Sequence, residues 1–288
     1  MKRQRSLRSL KRRKQITGVV STVLSVFCFL VMVFPIYWMA VTSLKVEKDV
    51  FKSPPDLIPL HANLDAYVAQ LTSGVFDIPR SMLNSFLIAG SCMVISAVLA
   101  ILAAYGLARF RIRGKKLIVF LFLISQMLPQ TSSLIPNFII FKKIGIYNTY
   151  LAPIVANCTL GIPFCVLMMR TYFLSVPKEI DEAARIDGCN SLQSFVKVML
   201  PMCSGGVAVS FVFSFLFGYS DMLYSLTYVN DSTKWPITTG IYNAVGRYGV
   251  AWSQAMAFGC MVVIPVLIIF IVMQKYIIEG LSAGAVKG

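Results

Sequence analysis

The sequence predicts an all-α integral membrane protein with six transmembrane helices, and three observations predict it. Of its 288 residues, 57% are hydrophobic and only 14% charged, where a soluble domain carries about a quarter charged residues. The charges lie between long windows that contain none, as they must where a charge in hydrocarbon costs about 2.5 to 3.5 kcal/mol. Each window also holds the roughly 20 helical residues that cross a hydrocarbon core about 30 Å thick.

The first window, Gln15–Leu44, follows a basic head at residues 1–15 with Lys2, Arg3, Arg5, Arg8, Lys11, Arg12, Arg13 and Lys14. A cleaved leader has an apolar core of only about 7 to 15 residues. This window is much longer and ends in Tyr37, Trp38 and Lys45, the aromatic and basic border of an anchored helix, so span one is placed at 16–44. Residues 45–77 then carry Glu47, Asp49, Asp56, Asp65 and Asp77 against three lysines, and 45–80 reads as an extracytoplasmic loop, with a short helix near Asn63–Leu71. Spans two and three, Ser81–Ala108 and Leu117–Phe141, are joined by the basic turn Arg109–Lys116. Gly145 supplies the turn into span four, Ile144–Met169. Spans five and six are Val198–Ser220 and Tyr248–Gln274, which leaves a core at 81–274 and a tail at 275–288. Basic flanks mark the cytoplasmic side, so both termini are expected inside. Beside a span, the basic head reads as a topology signal in contact with anionic lipid rather than as an RNA site, and no nucleic-acid partner is expected.

Several function classes lose support. Val94–Ala104 and Val262–Ile271 do not alternate apolar with polar as barrel strands do. No internal repeat is visible and no acid, base or histidine lies deep in a window, which weighs against a proton- or ion-coupled carrier. The only histidine, His61, is in the extracytoplasmic loop, and the seven cysteines form no C-x-x-C pair, so neither a catalytic residue nor a metal site is expected. Gly114-Lys115-Lys116 lacks the earlier glycine and the hydroxyl of a P-loop, so the chain is expected to bind no nucleotide or other cofactor itself. A membrane enzyme would need converging reactive groups. A stand-alone channel would need a polar ring, for which the run Gln126, Gln130, Thr131, Ser132 and Ser133 is the candidate; the same residues equally suit a solute pathway or bonds to neighbouring helices. Pro129, Pro136 and Pro163 lie inside spans, where a lost backbone bond gives either a packing kink or a gate.

The long loop at 170–201 is the most informative stretch. Pro177 is placed at the first helical position, Glu179, Asp181 and Glu182 suit the positive end of a helix, and Gly188 suits a left-handed stop. Ile180, Ala183, Ala184 and Asp187 then form one face. A second helix begins at Asn190, with Gln193 in capping-box spacing, presents Leu192, Phe195, Val196 and Met199, and stops at Leu200-Pro201. Two adjacent alanines make a flat surface for another protein's groove; a linker lying on the membrane is the other reading.

The run Glu182-Ala183-Ala184, then Gly188, then Leu200-Pro201 resembles the E-A-A-x-x-x-G…L-P motif of the permease subunits of ABC importers. Met127-Leu128-Pro129, Ile135-Pro136, Gly145-Ile146-Tyr147-Asn148-Thr149 and Ile162-Pro163-Phe164 stand in the order found in carbohydrate-type permeases. The ending Gln274-Lys275-Tyr276 followed by Gly280 to Gly288 resembles the tail of the smaller maltose-type subunit. The resemblance implies a type I importer permease fold in a prokaryotic plasma membrane, translocating a sugar or oligosaccharide. It implies a second, larger permease subunit, a pair of ATP-binding subunits that hold the ATP and Mg, and an extracytoplasmic solute-binding protein as partners. It makes 170–201 a coupling loop, with Glu182, Ala183, Ala184, Gly188, Leu200 and Pro201 docking the ATPase. By composition Gly280, Gly284 and Gly288 interrupt any helix and leave a frayed end, whereas the resemblance sends Gly284, Ala285, Val286, Lys287 and Gly288 between the ATPase subunits. Where such permeases carry Trp-Asn-acid-aromatic, this chain has Tyr219-Ser220-Asp221-Met222, and Gln126, Gln130 and Asp221 are the candidate pathway residues.

Overall fold

The computed structural model describes residues 2–59, 61–72, 76–241, 245–246 and 249–285, with side chains described at 17–59, 61–72, 76–241 and 251–275. The chain forms two units, one of residues 1–72 with 245–260 and one of residues 73–244 with 261–288.

In the first unit, α1 (Lys2–Ser43) runs unbroken from the basic head through span one. Its apolar side chains from Val19 to Tyr37 are exposed, which suits a lipid-facing surface. Below them, Lys45 is buried; its Nζ lies 4.7 Å from the Trp38 ring centre and donates to the Asp56 carbonyl at 2.6 Å. Two short helices follow, α2 (Glu47–Val50) and α3 (Asp65–Thr72). A two-residue ribbon, β1 (Val245–Gly246) against β2 (Gly249–Val250), precedes α13 (Trp252–Ala285), which starts in this unit and ends in the other.

The second unit holds α4 (Ile78–Arg109), α5 (Lys115–Met127), α6 (Leu134–Lys143), α7 (Leu151–Ser175), α8 (Lys178–Ile186), α9 (Ser191–Ser194), α10 (Leu200–Met202), α11 (Ser204–Tyr219) and α12 (Leu223–Tyr228). Its core joins Ala97, Ala100 and Ala104 of α4 to Val166, Met169 and Phe173 of α7 and to Phe195 and Met199. Small residues let the backbones approach: a Cβ on Gly218 of α11 would stand 2.7 Å from the Ala89 Cα of α4. At the far end from α8, Asn84 donates to the Thr233 and Trp235 carbonyls and Ser85 accepts from the Ile237 amide, which fastens the 229–240 stretch over α4.

Among the described residues, four helices are long and apolar enough to span alone, and the count reaches six if each of two bent pairs is one span. These bends correct the straight spans three and five that charge-free windows suggest. Span three breaks by 101° between Met127 and Gln130. Leu128 precedes Pro129 and is extended there, as a proline demands of its predecessor. Pro136 sits in the first turn of α6, where its missing N–H costs nothing, and Pro163 stays inside an unbroken α7. Span five bends by 82° at Cys203, and the second loop helix runs on through Leu200-Pro201 to Met202 rather than stopping there. A π turn at Phe195–Met199 precedes Pro201 and absorbs its missing hydrogen bond. The tail also departs from expectation, because α13 continues through Gly280 and Gly284 to Ala285. Each glycine costs only about 1 kcal/mol in a helix that already has a long nucleus.

Glu47 caps α13 from elsewhere in the chain. Its carboxylate accepts from the Trp252 amide at 2.8 Å, the Ser253 amide at 2.9 Å and Ser253 Oγ at 2.7 Å. Burial raises its pKa, but these hydrogen bonds together outweigh burial and hold the carboxyl below the usual glutamate range. A depressed folded-state pKa gives stability that is full above the unfolded value and lost as pH falls through the folded one. Glu47→Ala should therefore lower the thermal midpoint in detergent at pH 7, by the equivalent of about 1 kcal/mol, with the difference shrinking only below the ordinary glutamate range. Identical melts at pH 7 would remove the cap from the account.

Candidate functional site

The loop after α7 is built by local rules. Pro177 is extended and serves as N-cap of α8, one residue before the position expected of it, and Glu179 and Asp181 occupy the first turn. Gly188 is left-handed at φ +86°; its amide donates to Arg185 O, and the Cys189 amide to Ala184 O, the paired bonds of a Schellman stop. Asn190 Oδ1 accepts from the Gln193 amide at 2.8 Å while Gln193 Oε1 accepts from the Asn190 amide at 2.9 Å, so α9 opens with a capping box.

One side of this loop is sealed against the core. Phe195 lies 4.6 Å from Tyr105 between ring centres, and Tyr105 also meets Phe173 edge-on at 5.5 Å. Ile180 and Leu200 pack against the same cluster, and Ala184 is buried. Arg109, the last residue of α4, places Nε 2.6 Å from Asp181 Oδ2, with the two side chains 6% and 13% exposed. Its Nη2 donates to the Val176 carbonyl at 2.9 Å, and Asp181 Oδ1 accepts from Ser194 Oγ at 3.0 Å. Both groups are thus enclosed with their partners, and separating them would leave a charge with little water around it.

The other side faces out. Glu182, Ala183, Gly188 and Pro201 are exposed. So are three apolar residues, Ile186 at 86%, Leu192 at 67% and Val196 at 50%. The single stripe expected along α8 is thus corrected: Ile180 and Ala184 turn inward while Ala183 and Asp187 turn outward. Successive helical residues are about 100° apart, so neighbouring alanines need not share a face. The same applies to the second helix, where Phe195 and Met199 are buried and Leu192 and Val196 are not. Ile186 escaped sequence reasoning because it lies off that stripe, and one more isoleucine carries no signal in so apolar a chain.

The three pathway candidates have separate surroundings among the described residues. Gln126 Nε2 donates to the Leu160 carbonyl at 3.0 Å and ties α5 to α7. Gln130 is exposed in the 3-10 turn between α5 and α6. Asp221 is buried and caps α12, accepting from the Tyr224 amide at 3.0 Å, the Ser225 amide at 3.1 Å and Ser225 Oγ at 2.6 Å. Burial nonetheless pushes its pKa up, against those hydrogen bonds. An apolar recess of about 350 Å³ is lined by Phe164, Phe213, Phe217 and Val266, and the hydroxyls at its edge are engaged, Tyr219 donating to Val262 O and Ser220 to Leu216 O. Of the tail candidates, Gly284 and Ala285 end α13, and Val286, Lys287 and Gly288 lie outside the described residues.

Residues 96–282 match the family model described as the binding-protein-dependent transport system inner membrane component. The galactooligosaccharides transport system permease protein GanQ of Bacillus subtilis is 30% identical over 98% of this chain and 100% of its own length. The trehalose/maltose transport system permease protein MalG of Thermococcus litoralis is 29% identical over 97% of this chain and 98% of its own. Among solved structures, a chain of a bacterial ABC transporter involved in the import of the acidic polysaccharide alginate superposes with a TM-score of 0.75 at 22% identity, covering 92% of this chain and 98% of that one.

Nothing lies within 4 Å of a Cβ built on Gly188, so its requirement is purely one of backbone conformation. Gly188→Val should cost about 1 to 2 kcal/mol through the left-handed turn, whereas Gly188→Asn should be tolerated. Hydrogen exchange at the 186–194 amides would read this, with faster exchange in the valine variant alone. Equal protection in all three proteins would mean that the stop does not hold the loop.

Proposed function

Since the chain belongs to the family of binding-protein-dependent transport system inner membrane components, we propose that it is the smaller permease subunit of an ABC importer for a sugar or oligosaccharide. The observation that carries the solute class is that both relatives are permeases named for di- or oligosaccharides and match this chain over nearly its whole length. In this reading the chain lies in a prokaryotic plasma membrane with both termini in the cytoplasm, as its basic flanks favour.

The chain pairs with a second, larger permease subunit, receives solute from an extracytoplasmic binding protein, and contacts anionic lipid through its basic head. A pair of partner subunits binds ATP and Mg and hydrolyses the nucleotide, while this chain supplies only the path and its movement. The 170–201 loop is where the partner pushes. Glu182, Ala183 and Gly188 present the polar part of the docking surface, Ile186, Leu192 and Val196 the apolar part, and Leu200 with Pro201 leads into α11. Because Phe195 and Met199 are inserted into the core between α4 and α7, a displaced loop moves packed helices, and closure of the partner becomes a change between two arrangements of the spans. The tail from Gly284 to Gly288 reaches the ATPase pair. Gln126 and Gln130 remain the polar groups proposed along the path, Asp221 being committed to its cap.

The test is purification in mild detergent through a tag on this chain, followed by reconstitution with the binding protein. An ATP-hydrolysing subunit should co-purify, and uptake of labelled di- and oligosaccharides should require ATP. Purification of the chain alone, passing solute without ATP, would support a channel instead; ATP-driven uptake of a non-carbohydrate only would overturn the sugar assignment.

A further inference from the structure

Packing alone leaves unexplained why the loop end of α4 carries a buried charge. Apolar contacts such as those of Ile180 and Leu200 hold α8 against the core, but they are non-directional and allow sliding. Arg109 adds direction. One guanidinium meets Asp181 of α8 at 2.6 Å, the Val176 carbonyl between α7 and α8 at 2.9 Å, and Met199 Sδ of the π turn at 3.6 Å. Asp181 in turn accepts from Ser194 of α9. Four segments of the loop region, 67 to 90 residues along the chain from Arg109, therefore converge on a single ion pair.

We propose that Arg109 is a positioning residue for transport: through Asp181 it fixes α8 to the end of α4, so that displacement of the loop is delivered to span two as well as to span five. The proposal rests on the coupling reading given above. It follows from the cost of separating the pair. With both side chains shielded from water, any sliding of α8 along α4 would strand a charge in a region that cannot solvate it. Helix and loop must then move as one body, whereas α11 is joined to the loop by the chain itself through the bend at Cys203. Span two has no such covalent route, since α4 is separated from α8 by α5, α6 and α7. Arg109 supplies it.

The experiment uses the full importer in proteoliposomes and reads solute transported per ATP hydrolysed, with complex yield and melting temperature alongside. Arg109→Leu combined with Asp181→Leu removes the pair without leaving a lone charge; it should assemble and hydrolyse ATP but transport at least tenfold less solute per ATP. Asp181→Glu, which keeps the pair, should stay within about twofold of wild type. If the double leucine variant fails to assemble, Arg109→Lys decides: one ammonium cannot hold both Asp181 and the Val176 carbonyl as the fork does, and the ratio should fall at least threefold at an unchanged melting temperature. A wild-type ratio in the assembled double leucine variant, or in Arg109→Lys where that variant does not assemble, overturns the proposal. A joint loss of yield, hydrolysis and uptake at constant ratio does so too, because it leaves Arg109 with a stabilising role only. Gly188→Val separates the two levels of the argument. If it lowers the ratio and the Arg109 variants do not, only the role of Arg109 fails; if neither lowers it, the coupling reading itself has failed.

Discussion

A carboxylate and a guanidinium 2.6 Å apart, each almost closed to water, set the terms for the loop half of the second unit. Neither can be left alone there, because an unpaired buried charge costs far more than the pair contributes. The end of α4 must therefore stay where α8 is, and Ser194 and Val176 must keep their bonds to the same two groups. The aromatic contacts of Tyr105 with Phe173 and Phe195 supply bulk around this point. The Schellman stop at Gly188 and the capping box at Asn190 then fix the angle at which the chain leaves it.

At the other end of α4 the same economy appears with neutral partners. Asn84 and Ser85 hold the 229–240 stretch by its backbone, and Asp221 caps α12 rather than facing open space. Span two is thus bonded to non-helical chain at both ends, while its middle is packed through small residues against α7 and α11. A helix held in this way is suited to transmit movement along its axis, which fits a binding-protein-dependent transport system inner membrane component.

What could be read from the sequence was whatever depends on near neighbours. Charge-free windows found the long apolar helices and bent helix pairs, and Gly188, Asn190 with Gln193, and Gly145 announced their turns because each acts within about five residues. The bends were only half legible. Pro129 breaks span three, but Pro136 and Pro163 carry the same missing N–H and do not, since position within the helix decides the cost. Long-range polar contacts were not legible. Nothing near Arg109 points to Asp181, nothing near Glu47 points to Trp252, and Asp221 looked like a pathway acid until its partners at Tyr224 and Ser225 were seen. The facing of Ala183 and Ala184 was misjudged for the related reason that period alone defines a stripe without saying which stripe the tertiary core selects.

In the proposed reading, the exposed side of the 170–201 loop is the surface on which the driving subunit acts. Ile186, the most exposed of its apolar residues, tests this most directly. With a photo-reactive amino acid at position 186 and illumination of native membranes, the account predicts a covalent adduct with an ATP-hydrolysing subunit, its yield changing when nucleotide is added. Adducts with lipid alone, or none with any ATP-binding protein, would contradict it.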